Sequence, residues 1–194
     1  MTDDLALLLA AFPPELAGLD AAPPPGWRCA CVGVGALGAA LATARLLAEA
    51  RPPRVLFVGT CGAYDERLAP GDLVSAAEAI ATSVEEAAGR AYRPAIERTR
   101  WAAGWLPPLP ACAVAVPPAI TSTVDGARLL AAVAAVEHLE LTGVFAACAA
   151  ARVPAAAALA VANRVGPGAH EEWKARHEGV SADLVRVLRE RGVL

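Results

Sequence analysis

The sequence predicts an α/β protein, a three-layer α/β/α sandwich around a central, mostly parallel or mixed sheet. Three observations carry that prediction. Short apolar runs, too brief for helices, alternate with longer stretches of helical composition, as strands do when helices cover both faces of a sheet. Hydrophobic residues make up 56% of the chain and the formal net charge is −3, so a sizeable core can form and disorder is excluded. The 194 residues show no internal repeat and no dividing linker, so 1–194 is read as a single domain.

The elements follow in order. Leu5–Phe12 is a short apolar run stopped by Pro13-Pro14, which reads as a buried first strand entering a turn. Ala21–Gly26 is a Pro/Gly-rich connection, and Cys29–Val34 is a second strand candidate. After Gly35 the composition turns helical from Ala36 to Ala50, and Pro52-Pro53 ends it. Val55–Gly59 is short and β-branched, hence a strand, and Leu73–Ile80 is a further extended stretch. Arg90–Arg100 is charged and irregular, with Trp101 and Trp105 beside it. Ala113–Val116 reads as strand, Asp125 as the N-cap of a helix to about Ala135, and Thr142–Arg152 as helix. Ala156–Ala162 is an apolar run ending at Asn163. Ser181 reads as the cap of a last helix with Leu184, Val187 and Leu188 as its stripe and Gly192 as its stop.

Composition also excludes functions. The excess charge is acidic and no basic block exists, with Lys174 the sole lysine among seventeen basic residues, so a nucleic-acid partner is not expected. The longest uncharged run, Ala102–Val124, is broken by five prolines, so no membrane span is expected. Asp3 and Asp4 stand where a secretory signal would be basic, and a cytoplasmic protein is expected. Five cysteines without CxxC spacing read as buried thiols, and three scattered histidines give no metal-ligand cluster.

Gly33, Gly35 and Gly38 spell G-x-G-x-x-G between a strand and a helix. A dinucleotide site would require an acidic residue at the end of the next strand, but Arg54–Val58 runs into Gly59-Thr60 with no carboxylate. The fingerprint therefore fails its context, and no nicotinamide or flavin cofactor is expected. Gly38 reads as a small residue for tight helix-on-strand packing, while Gly33 and Gly35 are free to line a site.

Three ordered segments resemble the purine nucleoside phosphorylase and nucleosidase superfamily, also called the family-1 phosphorylases. The first runs Val32-Gly-Val-Gly-Ala-Leu-Gly-Ala-Ala, then Val58-Gly-Thr-Cys-Gly-Ala-Tyr, then Leu68-Ala-Pro-Gly-Asp-Leu-Val. It is similar to the family's glycine turn, helix, strand, G-S/T-x-G-G/A loop and GD-V-V strand. The second, Val136-Glu-His-Leu-Glu140, resembles the family's E-M-E segment before a helix. The third, Leu159-Ala-Val-Ala-Asn163, resembles the strand that ends in the base-binding Asp or Asn. The resemblance spans Leu5 to Leu194 and implies the nucleoside phosphorylase-like fold, with the middle around Ile80–Pro110 abbreviated.

The resemblance implies roles for particular residues. Asn163 matches the purine-facing position. An amide offers a donor and an acceptor together, which suits the O6 and N7–H of a 6-oxopurine. Glu140 matches the carboxylate that binds ribose hydroxyls, and a charge between Leu139 and Leu141 is costly to bury without such a role. His138 departs from the pattern and is either a ribose contact or a structural histidine. Leu139, in the same segment, is expected to be a substrate-binding residue as well. Glu15 follows the first strand at the spacing of the acid/base Glu of the nucleosidase branch, with an exposed helical Glu as the alternative. Thr60, with the Gly59–Gly62 backbone, shapes the phosphate or base region.

Phe57 stands where the phosphorylase branch has an arginine three residues before Thr60, and no arginine follows the first strand. Capture of a phosphate dianion needs such guanidinium groups, so water is the expected nucleophile unless Arg98, Arg100 or a neighbouring subunit supplies one. Asn163-Arg-Val-Gly-Pro167 and then Trp173 resemble the ending of futalosine hydrolases, although Gly168-Ala169-His170 replace the basic residues usual there. Core packing is the other reading of Trp173. The expectation is a purine nucleosidase acting on a small-molecule nucleoside. It would need no cofactor or metal, phosphate being a co-substrate only in a phosphorylase. Membrane and nucleic-acid partners are not expected, and the resemblance implies a homo-oligomer, for which Trp101 and Trp105 are interface candidates. The alternatives are a phosphorylase and a non-catalytic nucleoside-binding protein. The last is favoured by Phe57, His138, the proline-rich first loop and the short middle.

Overall fold

The computed structural model describes residues 5–194; Asp3 and Asp4, on which the absence of a secretory signal was argued, lie outside the described residues. Among the described residues eight strands form one mixed sheet: β1 (Ala6–Ala10), β2 (Trp27–Cys31), β3 (Val55–Ala63), β4 (Leu73–Ala81), β5 (Arg100–Ala102), β6 (Ala111–Val116), β7 (Val136–Glu137) and β8 (Ala155–Arg164). The helices are α1 (Ala36–Ala50), α2 (Val84–Ala87), α3 (Val124–Ala131), α4 (Leu141–Ala151) and α5 (Ala169–Glu190).

Apolar runs such as Ala6–Ala10 and Ala155–Ala162 can be strands because both their faces are covered. Alternate residues divide between two layers. Leu7, Leu9, Phe57, Leu159 and Val161 pack in one cluster with Leu46 and Leu47 of α1 and Val144 and Phe145 of α4. Leu8, Leu56, Val58, Ala158 and Ala160 pack in the other with Val180, Leu184 and Leu188 of α5. The three-layer α/β/α architecture follows from that division.

Strands β2, β1, β3 and β8 run parallel as neighbours. Strand β8 then pairs antiparallel with β4, which is parallel to β6. Strand β6 is parallel to β7, and β7 returns antiparallel to the end of β3. The pairing β3–β8–β4–β6–β7–β3 thus closes a ring, while β1 and β2 extend from its side. No helix of the described residues is long and apolar enough to cross a membrane.

Several local expectations are corrected. Strand β3 continues four residues past Gly59 to Ala63, so Thr60 sits in a strand and not a loop. Thr123, not Asp125, caps α3, its side chain accepting from Gly126 N at 3.0 Å, and the helix stops at Ala131. Ser181 lies buried inside α5, whose start is Ala169 behind Gly168 at φ 82°. The assignment of tight packing to Gly38 is also wrong, because a Cβ there would meet nothing within 4 Å. The close helix contact belongs to Gly143 of α4, where a Cβ would overlap the carbonyl oxygen of Ala36 at the start of α1.

Candidate functional site

Parallel strands bring their C-terminal ends to one edge, where α/β proteins bind ligands. Here a cavity of about 320 Å³ opens beyond the ends of β1, β3 and β8. Glu15, Thr60, Gly62, His138, Leu139, Glu140 and Asn163 all line it, so residues spread over most of the chain are brought together. No residue between 63 and 119 reaches the lining, and neither Arg98 nor Arg100 does; Arg100 pairs with Glu78 at 2.9 Å and Arg98 lies over the Trp101 ring. Among the described residues, no arginine or lysine lines the cavity.

Glu15 sits on a 3-10 turn, Pro13–Leu16, that the two prolines initiate as β1 ends. The exposed alternative does not hold: Glu15 is only 3% exposed. Its carboxylate turns back to accept from Ala11 N at 3.2 Å through Oε2, and reaches β3 through Oε1. There Thr60 donates twice to Oε1, from its backbone N at 2.8 Å and from its hydroxyl at 2.7 Å. Burial raises the carboxyl pKa to about 7, against the lowering by the Thr60 hydrogen bonds and with added repulsion from Glu140. A carboxyl that exchanges its proton near neutrality is suited to acid–base work.

Gly59, one residue before, provides clearance. A Cβ there would lie 2.8 Å from Phe57 Cε1, 3.2 Å from His138 Nε2 and 3.4 Å from Glu15 Oε1. Phe57, in place of an arginine, is fully buried and meets the His138 ring edge-on at 5.2 Å.

Glu140 precedes α4 and faces the N-terminus of α1. The Gly35 N–H donates to Glu140 Oε1 at 2.7 Å, so the glycine turn holds a carboxylate of the protein itself. Gly35 has φ 89°, a conformation that favours glycine, and the missing side chain of Gly143 lets the two helices approach. His138 Nδ1 accepts from Glu140 N at 3.1 Å and also lies 3.1 Å from Glu140 Oε2. One nitrogen cannot do both with a single proton. Burial lowers the His138 pKa, which favours the neutral ring with Nδ1 accepting and the proton on Nε2.

Asn163 is aimed by a bulge. The β3–β8 register passes from Cys61 opposite Val161 to Gly62 opposite Asn163, leaving Ala162 as the extra residue. Gly62 makes room, since a Cβ there would lie 3.0 Å from Asn163 Nδ2 and 2.8 Å from Val165. Asn163 Nδ2 donates to Arg164 O at 2.8 Å, which fixes the amide and leaves one N–H and Oδ1 for a ligand.

Sequence reasoning missed part of the lining. Glu137 also faces the cavity, with Tyr64 Oη donating to Oε2 at 2.9 Å and Thr121 N to Oε1 at 3.0 Å. The argument from the cost of a buried charge that singled out Glu140 applies equally to Glu137, which follows apolar Val136. Phe12, Val34 and Ile120 add apolar wall, a contribution without a local signal. Trp173 lines the cavity as well, and its Nε1 donates to Thr60 Oγ1 at 3.0 Å.

Residues 28–111 match the family model described as the Phosphorylase superfamily. Comparison with curated protein sequences gives no match. Among solved structures, a futalosine hydrolase mutant of Helicobacter pylori superposes with a TM-score of 0.83 at 16% identity, over 96% of this chain and 97% of that one. The 5'-methylthioadenosine/S-adenosylhomocysteine nucleosidase of Helicobacter pylori gives 0.84 at 14% identity, over 99% of each chain. The corresponding nucleosidase of Neisseria meningitidis gives 0.82 at 15%, over 98% and 99%. At these identities the likeness is one of fold, and it runs through nearly the whole of each chain.

Proposed function

We propose that this chain, whose residues 28–111 match the Phosphorylase superfamily model and whose fold is like that of a futalosine hydrolase, is a purine nucleosidase that uses water to cleave the N-glycosidic bond. The observation that carries the reading is the juxtaposition of Glu15, with its carboxyl pKa near 7, and Glu140 and Asn163 around one cavity. Glu140 accepts from the ribose hydroxyls and favours positive charge at C1′ as the C1′–N9 bond lengthens. Glu15 takes a proton from water as the water oxygen bonds to C1′, and the electron pair of the broken bond leaves on the purine. Asn163 hydrogen-bonds the departing base. The purine anion takes a proton from solvent water and Glu15 returns its own to solvent, so the products are free sugar and neutral base.

Water is favoured over phosphate because, among the described residues, three carboxylates and no arginine or lysine line the cavity. A phosphate dianion would enter against like charge with no guanidinium to hold it. A 6-oxopurine is favoured because Asn163 keeps one N–H for O6 and Oδ1 for N7–H. Futalosine is one such substrate, by resemblance of the C-terminal segment and by fold likeness to a futalosine hydrolase. Leu37 and Leu41, one turn apart on α1, are 77% and 66% exposed near cavity residue Val34, which supports a homo-oligomer through this face. Trp105 is already engaged within the chain, with Arg54 over its ring.

The test is release of free base from inosine, guanosine, adenosine and futalosine, with and without phosphate. Release from 6-oxopurine nucleosides without phosphate is expected. Strictly phosphate-dependent release would replace the reading with a phosphorylase, and binding without release would favour a non-catalytic binding protein.

A further inference from the structure

Trp173 belongs to helix α5, more than a hundred residues from Thr60, yet its indole ends on the Thr60 hydroxyl. A hydroxyl has one proton to give and lone pairs to receive. Trp173 Nε1–H can only donate, so it occupies a lone pair of Thr60 Oγ1 and leaves the Thr60 proton for Glu15 Oε1 at 2.7 Å. Oε1 is thereby served by two donors, the Thr60 hydroxyl and the Thr60 N–H, while Oε2 has only Ala11 N at the longer 3.2 Å. The two oxygens of one carboxylate are made unequal.

The indole itself is packed among aromatic rings. His170, Trp173 and His177 share one face of α5, at spacings of three and four residues. The His177 ring stacks on the indole at 4.2 Å between centroids and 12° between planes, and His170 is nearly parallel to it at 5.9 Å. Phe12, at the entrance to the Glu15 turn, packs against both Trp173 and His177. A packing role alone would not need the indole nitrogen to meet the one hydroxyl that contacts Glu15.

We propose that Trp173 is a positioning residue for Glu15: through Thr60 it saturates Oε1 and leaves Oε2 as the oxygen that exchanges the proton. The catalytic part of this inference rests on the nucleosidase reading, whereas the Trp173–Thr60–Glu15 coupling does not. The charged or titratable neighbours are Glu140, Cys31 and Cys61 around Glu15, His138 across Gly59, Glu137 in the same cavity, and His170 and His177 against the indole.

The coupling is read by ¹H–¹⁵N correlation of the tryptophan indoles in the full chain. Four resonances are expected from the four tryptophans, and Trp173→Phe identifies one of them. In the wild type that resonance should shift with pH with a component centred at the Glu15 midpoint. Glu15→Gln and Thr60→Val should each abolish this component while leaving any due to His170 and His177. In activity, Trp173→Phe should move the acid limb of kcat/KM upward by up to about one pH unit, a roughly tenfold loss on that limb. The double variant Trp173→Phe/Thr60→Val should move it no further than Thr60→Val alone. A Trp173 resonance with the same titration in wild type and Glu15→Gln would overturn the coupling. Base release with an unmoved acid limb in Trp173→Phe would overturn the positioning role and leave the nucleosidase reading standing. Absence of base release together with the predicted indole titration would instead overturn the nucleosidase reading alone.

Discussion

Glu15 and Thr60 are 45 residues apart, yet the backbone N–H and the hydroxyl of Thr60 both donate to the same Glu15 oxygen, at 2.8 and 2.7 Å. The pairing joins the turn after β1 to the middle of β3, adjacent strands whose register is set by Leu7–Leu9 against Val55–Phe57. It makes a buried carboxyl tolerable without making it strongly acidic. Desolvation still outweighs the hydrogen bonds, so the group titrates at about pH 7.

A base with that pKa must lose its proton before it can act. Activity is therefore expected to rise with pH through about 7 and to level above it. Glu15→Gln should lower kcat by about 10²–10⁴-fold, with nucleoside binding retained. Steady-state pH profiles and equilibrium binding of a nucleoside check both statements.

The same shift affects stability, with a definite sign. The folded chain holds the Glu15 proton more tightly than the unfolded chain, so between pH 4.5 and about 7 it binds more protons. Stability contributed by the neutral carboxyl is present below the unfolded pKa and is lost as pH rises through that window. The loss amounts to roughly 3 kcal/mol from the size of the shift. Denaturant unfolding of wild type and Glu15→Gln at pH 5 and pH 8 isolates it, and the fall should be smaller by that amount in the variant.

Asn163→Asp replaces a neutral amide by an acceptor-only carboxylate at the end of the β8 bulge. The hypoxanthine-to-adenine ratio in a mixed inosine and adenosine assay should move towards adenine. An unchanged ratio would remove Asn163 from base selection.

Two glycines should respond in opposite ways to alanine. Gly143→Ala drives a Cβ into the carbonyl of Ala36 and should cost about 1–3 kcal/mol or more, lowering Tm and disturbing the Gly35–Glu140 hydrogen bond. Gly38→Ala places a methyl in open space within α1 and should stabilise by up to about 1 kcal/mol. Thermal unfolding of the two variants separates them.

That pair also marks what the sequence could convey. Helix α1 was legible at both ends because Gly35 and Pro52-Pro53 bound it, and the end of the apolar run of β8 marked Asn163. Close approach between α1 and α4 was not legible, since it depends on which helices become neighbours, and a glycine's own surroundings in sequence do not say so. Thr60 read as a loop because glycines flank it. Pairing with β8 across its whole length overrides that local preference. Ser181 read as a cap for the same kind of reason, although the apolar face of α5 extends the helix well before it. Of the cavity, Glu15, Thr60, His138, Leu139, Glu140, Gly62 and Asn163 were anticipated through resemblance, whereas Gly59, expected with them, lies behind the lining against Phe57 and His138. The links among them through Gly35 and Trp173 depend on tertiary contacts that no local pattern encodes.

The central claim is that water, activated by Glu15, is the nucleophile in a cavity that no arginine or lysine of the described residues lines. The measurement that tests it most directly is the identity of the sugar product formed from inosine in phosphate buffer, followed by ³¹P NMR together with a reducing-sugar assay. Free ribose equimolar with hypoxanthine and no new phosphate resonance is the predicted result. Accumulation of ribose 1-phosphate would contradict it.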